Sequence, residues 1–133
     1  MYFTAVSFMK QNGYMQYEIS NFARKNHVCR HNLRYWNADE YIGFGAAAHS
    51  YFAGKRFSFK KNAKLYTDAL CSENPSAESI IDEYIDIPPS ARIAEYVMLR
   101  FRLNKGIDKE KFRMRFGRDF DSVYYNRLRP FIQ

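Results

Sequence analysis

YEISNFARKNHVCRHNLRYWNADEYIGFGAAAHSY, residues Tyr17 to Tyr51, is the stretch on which the reading of the fold turns. It holds all three histidines, the single tryptophan and one of the two cysteines of the 133-residue chain. Its first residues finish an alternating, β-forming run over Tyr14–Ser20, which reads as a strand. Upstream, Phe3, Val6 and Met9 recur at near-helical spacing over Tyr2–Gln11, and Asn12-Gly13 supplies a helix stop. Helix, glycine and short strand make the cadence of an αβ unit. Residues Asn21–Arg34 read as irregular and polar. Tyr41–Phe44 reads as a short strand running into Gly45.

Downstream, Ala53-Gly54 reads as a hairpin turn, with Lys55–Phe59 returning as a strand. Asn62 is placed to cap a helix over Ala63–Leu70, and Glu73–Ala77 is a breaker-rich linker. From Pro88 the pattern changes. Pro88-Pro89-Ser90 opens a helix over Ala91–Asn104, with Ile93, Val97 and Phe101 on one stripe. Asp108 caps a second helix, Lys109–Phe116, stopped at Gly117. Asp119 or Asp121 starts a third, reaching Leu128. Nothing closes the chain over Phe131–Gln133. The expected class is mixed α/β (α+β), divided into residues 1–74 and a helical domain over 75–133.

Composition narrows the function without choosing it. The hydrophobic fraction of 47% is enough for a core, and 18% of residues are aromatic. Such rings suit a flat ligand or simply fill space. The net charge is +7, which favours anionic partners of several kinds. Cys29 and Cys71 form no CxxC, so the cytoplasm is the expected compartment. No apolar run reaches transmembrane length, and there is no leader pattern at the start.

His27, Cys29 and His31 stand at i, i+2 and i+4, so an extended backbone would turn all three to one face. That is a possible soft metal site or haem axial ligand, but three ligands without a fourth make a weak zinc signal. His31 differs because Asn32, Tyr35 and Trp36 accompany it. Such a group can clamp a planar macrocycle or anchor a core. Arg24, Lys25, Arg30 and Arg34 flank it, and guanidinium groups pair well with carboxylates such as porphyrin propionates. Gly43-Phe44-Gly45-Ala46-Ala47-Ala48-His49-Ser50 allows close approach of a ligand or of a packed helix. It lacks the third glycine of a dinucleotide fingerprint, and His49 and Ser50 have no acidic partner for a triad. Glu18, at a strand end, is placed to contact a cofactor or to sit in a loop. Arg113, Arg115, Arg118, Arg127 and Arg129 form a second basic group, but no RNA- or DNA-reading motif accompanies them, so there is no strong nucleic-acid signal.

GYMQYEISNFAR, RHNLRYW and YIGFGAAAHSYFAGKRFS together resemble the later half of the oxygen-independent coproporphyrinogen III oxidase-like radical S-adenosylmethionine (SAM) proteins. The hexad His31-Asn32-Leu33-Arg34-Tyr35-Trp36 resembles the HNxxYW of the haem chaperone branch. EYVMLRFRLNKGIDKEKFRMRFG resembles the family's C-terminal helical domain. The resemblance implies the last strands of a partial (β/α) radical SAM barrel over residues 1–74, followed by a truncated C-terminal helical domain over 75–133. It implies haem bound through His31, the metal ligand, with Asn32, Tyr35 and Trp36 beside it, and delivery to haem-accepting proteins. It sets Glu18, Gly43, Gly45 and Ala47 near the SAM pocket of a longer parent that also holds a [4Fe–4S] cluster. The alternative is a segment of the oxidase itself, which decarboxylates coproporphyrinogen III to protoporphyrinogen IX. The chain has no CxxxCxxC, so no catalytic residue is assigned, SAM cleavage is not expected of this stretch alone, and it is expected to be part of a longer protein.

Overall fold

The computed structural model describes residues 1–131; Ile132 and Gln133, on which the expectation of an unclosed C-terminus falls, lie outside the described residues. In chain order the elements are α1 (Tyr2–Gln11), β1 (Met15–Glu18), β2 (Asn21–Ala23), α2 (Arg30–Trp36), β3 (His49–Phe52), β4 (Lys55–Phe59), α3 (Ala63–Leu70), α4 (Ala77–Ile80), β5 (Ile81–Asp86), α5 (Pro89–Arg100), α6 (Lys109–Phe116) and α7 (Phe120–Leu128), with a 3-10 turn over Arg129–Phe131. They divide into two compact units. One joins residues 1–36 to 96–133; the other is the continuous stretch 37–95.

In the first unit, β1 pairs antiparallel with β2, with an irregularity between Gln16 and Glu18. The αβ cadence therefore does not continue into a parallel crossover: β1 turns at Ile19-Ser20 straight back into β2, whereas a parallel neighbour needs a connection of a dozen or more residues. The other edge of β1 is taken by the chain that leaves α5. Ile19 N–H donates to the Arg102 carbonyl at 3.0 Å, Asn104 N–H to Tyr17 at 3.2 Å, and the Asn104 side-chain amide to the Gln16 carbonyl at 2.7 Å. α5 stops at Arg100, four residues before the expected end. The released residues make this bridge, which pairs Glu18 with Leu103.

Aromatic rings build the rest of this core. Phe112 is fully buried, with ring centroids 5.0 Å from Phe116, 5.3 Å from Phe120 and 6.1 Å from Tyr96. Edge-on and tilted pairs of this kind each add roughly 0.5–1.5 kcal/mol beyond burial of area. The helices that carry them are capped as their sequences predict. The Asp108 carboxylate accepts from the Glu110 and Lys111 amides, and Gly117 closes α6 in the left-handed conformation. Asp119, not Asp121, caps α7.

In the second unit, β3, β4 and β5 form an antiparallel sheet in that order. Phe52 pairs with Lys55 across Ala53-Gly54, and both turn residues have positive φ, 50° and 76°. This is the primed two-residue turn that matches strand twist. β5 is an addition to the sequence expectation. It carries Asp82, Glu83 and Asp86, is exposed along nearly its whole length, and sets Asp86 opposite Lys55. Asn62 caps α3 through the Lys64 and Leu65 amides. Tyr41 makes only an isolated bridge to Tyr51 instead of the expected strand over Tyr41–Phe44. Phe59, Ile80, Ile87 and Ile93 are the buried apolar residues here. No described helix is long and apolar enough to cross a membrane.

Candidate functional site

The hexad His31–Trp36 forms most of α2, where irregular chain was expected. Helical geometry sorts its residues by face. His31 and Tyr35 are one turn apart on one side, while Asn32 and Trp36 share another. His31 is exposed and Tyr35 half-buried. Their rings meet edge-on, centroids 4.9 Å apart and 88° between planes. That contact limits the swing of the imidazole and leaves it at the surface.

Trp36 has a different environment. The Arg102 guanidinium lies over its ring, 4.2 Å from the centroid. The same guanidinium reaches Glu18, Nη2 to Oε2 at 3.6 Å. That distance is an ion pair and too long for a hydrogen bond. Glu18 is fully buried. Its other oxygen accepts from the Ser20 amide at 3.0 Å and from the Asn21 side-chain amide. Three buried polar atoms in this group have no hydrogen-bond partner: Glu18 Oε2, Arg102 Nε and Trp36 Nε1. A buried carboxylate costs several kcal/mol of desolvation, offset only by a close, well-paired cation. Arg102 is that cation, and the aromatic face of Trp36 holds its plane.

Glu18 is a core carboxylate and not a loop residue. His27, Cys29 and His31 do not share an extended face, because His31 is already in the first helical turn; among the described residues no three His, Cys, Asp or Glu side chains gather to hold a metal. Of the flanking cations, Arg24 lies over the Tyr14 ring at 5.1 Å, and Arg30 is exposed on α2. Arg102 and its pairing were missed by sequence reasoning. The only available signal was a buried-type acidic position in a β-forming run.

Glu18 lies in the first unit; Gly43, Gly45 and Ala47 lie in the second. The Gly43 amide donates to the buried Ser50 hydroxyl at 3.1 Å, and a Cβ at Gly43 would come within 2.5 Å of the His49 carbonyl oxygen. Gly43 is thus required by close packing of its own backbone. Gly45 has φ of 101° with open space beside it, and its amide donates to the Tyr66 hydroxyl at 3.4 Å. Ala47 is left-handed at φ 62°, and its amide donates to the Lys60 carbonyl at 3.1 Å. The loop is a shaped turn, half-buried at Gly43 and Gly45 and exposed at Ala47.

The donor set at α2 fits haem: an exposed imidazole braced by a ring, with a cation at Arg30 on the same helix. A three-cysteine [4Fe–4S] cluster does not fit, because the chain has only two cysteines, and Cys29 and Cys71 are both free and exposed.

Residues 87–133 match the HemN C-terminal domain family. The chain is 33% identical to heme chaperone HemW of Bacillus subtilis (strain 168) over 100% of its own length and 34% of that protein. It is 30% identical to heme chaperone HemW of Lactococcus lactis, over 99% of its length and 33% of the relative. The chain thus spans about a third of the length of these curated relatives. The solved structure of coproporphyrinogen III oxidase (HemN) from Escherichia coli, a radical SAM enzyme, superposes with a TM-score of 0.67 at 16% identity, over 95% of this chain and 31% of that one. Likeness at that identity establishes the fold. With its HemN C-terminal domain and relatives matched along nearly the whole chain, this protein belongs to the HemN/HemW family.

Proposed function

We propose that this chain is the haem-handling part of a cytoplasmic radical SAM haem chaperone, binding haem through His31 for delivery to haem-accepting proteins. The observation that carries the reading is the exposed His31 imidazole, braced edge-on by Tyr35 at 4.9 Å on a helix whose far end is pinned. The relatives named heme chaperone HemW support it. Haem would supply the iron-porphyrin cargo, and this chain's residues would bind and orient it: His31 would hold the iron, Tyr35 would fix the imidazole plane, and Asn32 and Trp36 would complete the helix that carries them. In the longer parent, residues 1–74 would close a partial radical SAM barrel and 75–133 the helical domain. Gly43, Gly45 and Ala47 would then lie near SAM, and the cluster would be held by cysteines elsewhere in the parent. The oxidase alternative has the HemN C-terminal domain match and the fold likeness to HemN behind it, but neither HemW relative.

The test is a hemin titration followed by visible absorption, beside His31→Ala. A saturable Soret band in the parent chain, lost in the variant, is the expected outcome. Equal binding by both would remove His31 as ligand and overturn the proposal.

A further inference from the structure

The hexad ends on a residue that faces away from its histidine, and it meets a half-buried guanidinium backed by a fully buried carboxylate, the pair being incompletely hydrogen-bonded. Arg102 follows α5, far from the hexad in sequence. Its carbonyl accepts from the Ile19 amide, and the Asn104 amide donates to the Tyr17 carbonyl, which holds it at the edge of β1. Its guanidinium touches both Trp36, at 4.2 Å, and Glu18, at 3.6 Å. Arg102 Nε and Glu18 Oε2 make no hydrogen bond, so the guanidinium is oriented by the indole plane and the carboxylate charge together. We infer that Arg102 is a positioning residue for the haem-binding helix: by stacking on Trp36 while paired to Glu18, it fixes the rotation of α2, and so the direction in which His31 and Tyr35 face the ligand. This rests on the proposed haem reading.

The physical logic depends on two separable properties of Arg102. Its charge keeps Glu18 compensated, a requirement of the core. Its flat guanidinium grips the indole, a requirement of orientation. Lysine supplies the first and not the second, because an ammonium is a point charge without a plane. Arg102→Lys therefore separates a positioning role from a purely structural one. The seven-residue α2 is too short to hold itself rigid, since isolated helices under about 12 residues are marginal in water. Its register must come from contacts such as this one.

The experiment compares the parent chain, Arg102→Lys, the double variant Glu18→Gln/Arg102→Met and His31→Ala. Two readouts are taken. Trp36, the single tryptophan, reports its own contact through fluorescence emission and acrylamide quenching without ligand. Hemin titration reports affinity and Soret position. The expected result is a changed Trp36 signal and roughly tenfold weaker hemin binding in Arg102→Lys, the scale of a lost cation–ring contact. The double variant, which leaves no stranded charge, should show the same losses with its far-UV circular dichroism unchanged. Parent-like hemin affinity in both, with binding lost in His31→Ala, would overturn the positioning role alone. Hemin binding that ignores His31→Ala would overturn the haem reading and this inference with it.

Discussion

The two faces of helix α2 contrast sharply. On one, the exposed His31 ring meets the half-buried Tyr35 ring edge-on. On the other, Trp36 is covered by a guanidinium that is itself held by a fully buried carboxylate. Within six residues the chain thus has one side anchored by a charged pair and another that ends in an exposed imidazole. The difference teaches that a short motif can look uniform in sequence and still be two sites. Residues on the anchored face set where the helix is. Residues on the open face are the ones the proposed haem reading uses.

That contrast predicts a steep gradient of effects. The largest belongs to Arg102→Ala, which strands Glu18 as an uncompensated buried charge. Urea unfolding followed by Trp36 fluorescence should show a loss of ~3–5 kcal/mol. A loss under 1 kcal/mol would mean that Glu18 is not a charged core residue and would break the comparison. Trp36→Phe comes next. It keeps a ring under the guanidinium but weakens the contact and removes the orphaned Nε1, so a cost of about 1 kcal/mol is expected by circular dichroism melts. The smallest effect on stability is expected for His31→Ala, within about 0.5 kcal/mol, as for exposed positions generally. A cost near that of Trp36→Phe would show that the open face also holds the fold.

Much of the framework was legible because its signals are local. Asn62, Asp108 and Asp119 cap helices through amides two or three residues away, and Ala53-Gly54 turns a hairpin that needs nothing but its own dihedrals. β5 was not legible. Its side chains are charged along an edge strand, and its support comes from cross-strand pairs such as Lys55 with Asp86. There the Lys55 ammonium is held above its ordinary value, first by hydrogen bonding and charge attraction to Tyr84 and then by Asp86. α2 failed for a related reason. It has no acidic residue in its first turn, and a contact with Arg102 fixes its end. His31, Asn32, Tyr35 and Trp36 stood out as one chemically capable group. That Trp36 parts company with His31 and Tyr35 needed the helix, and that Glu18 is buried needed its distant partner.

The first unit is assembled from two separated lengths of chain, whereas the second is continuous. The Asn104 amide that closes on Gln16 comes 88 residues after it. At ribosomal speeds of about 5–20 residues per second, that interval is roughly 4–18 s. During it, residues 37–95 can fold as they emerge, while β1 waits with one edge open. An open apolar edge invites pairing with another nascent chain, and a charge set inside the strand opposes it. Glu18 therefore has a role in time as well as in space. Before Arg102 is made, the hydrated carboxylate guards the edge, and after it is made, the same group becomes the latch.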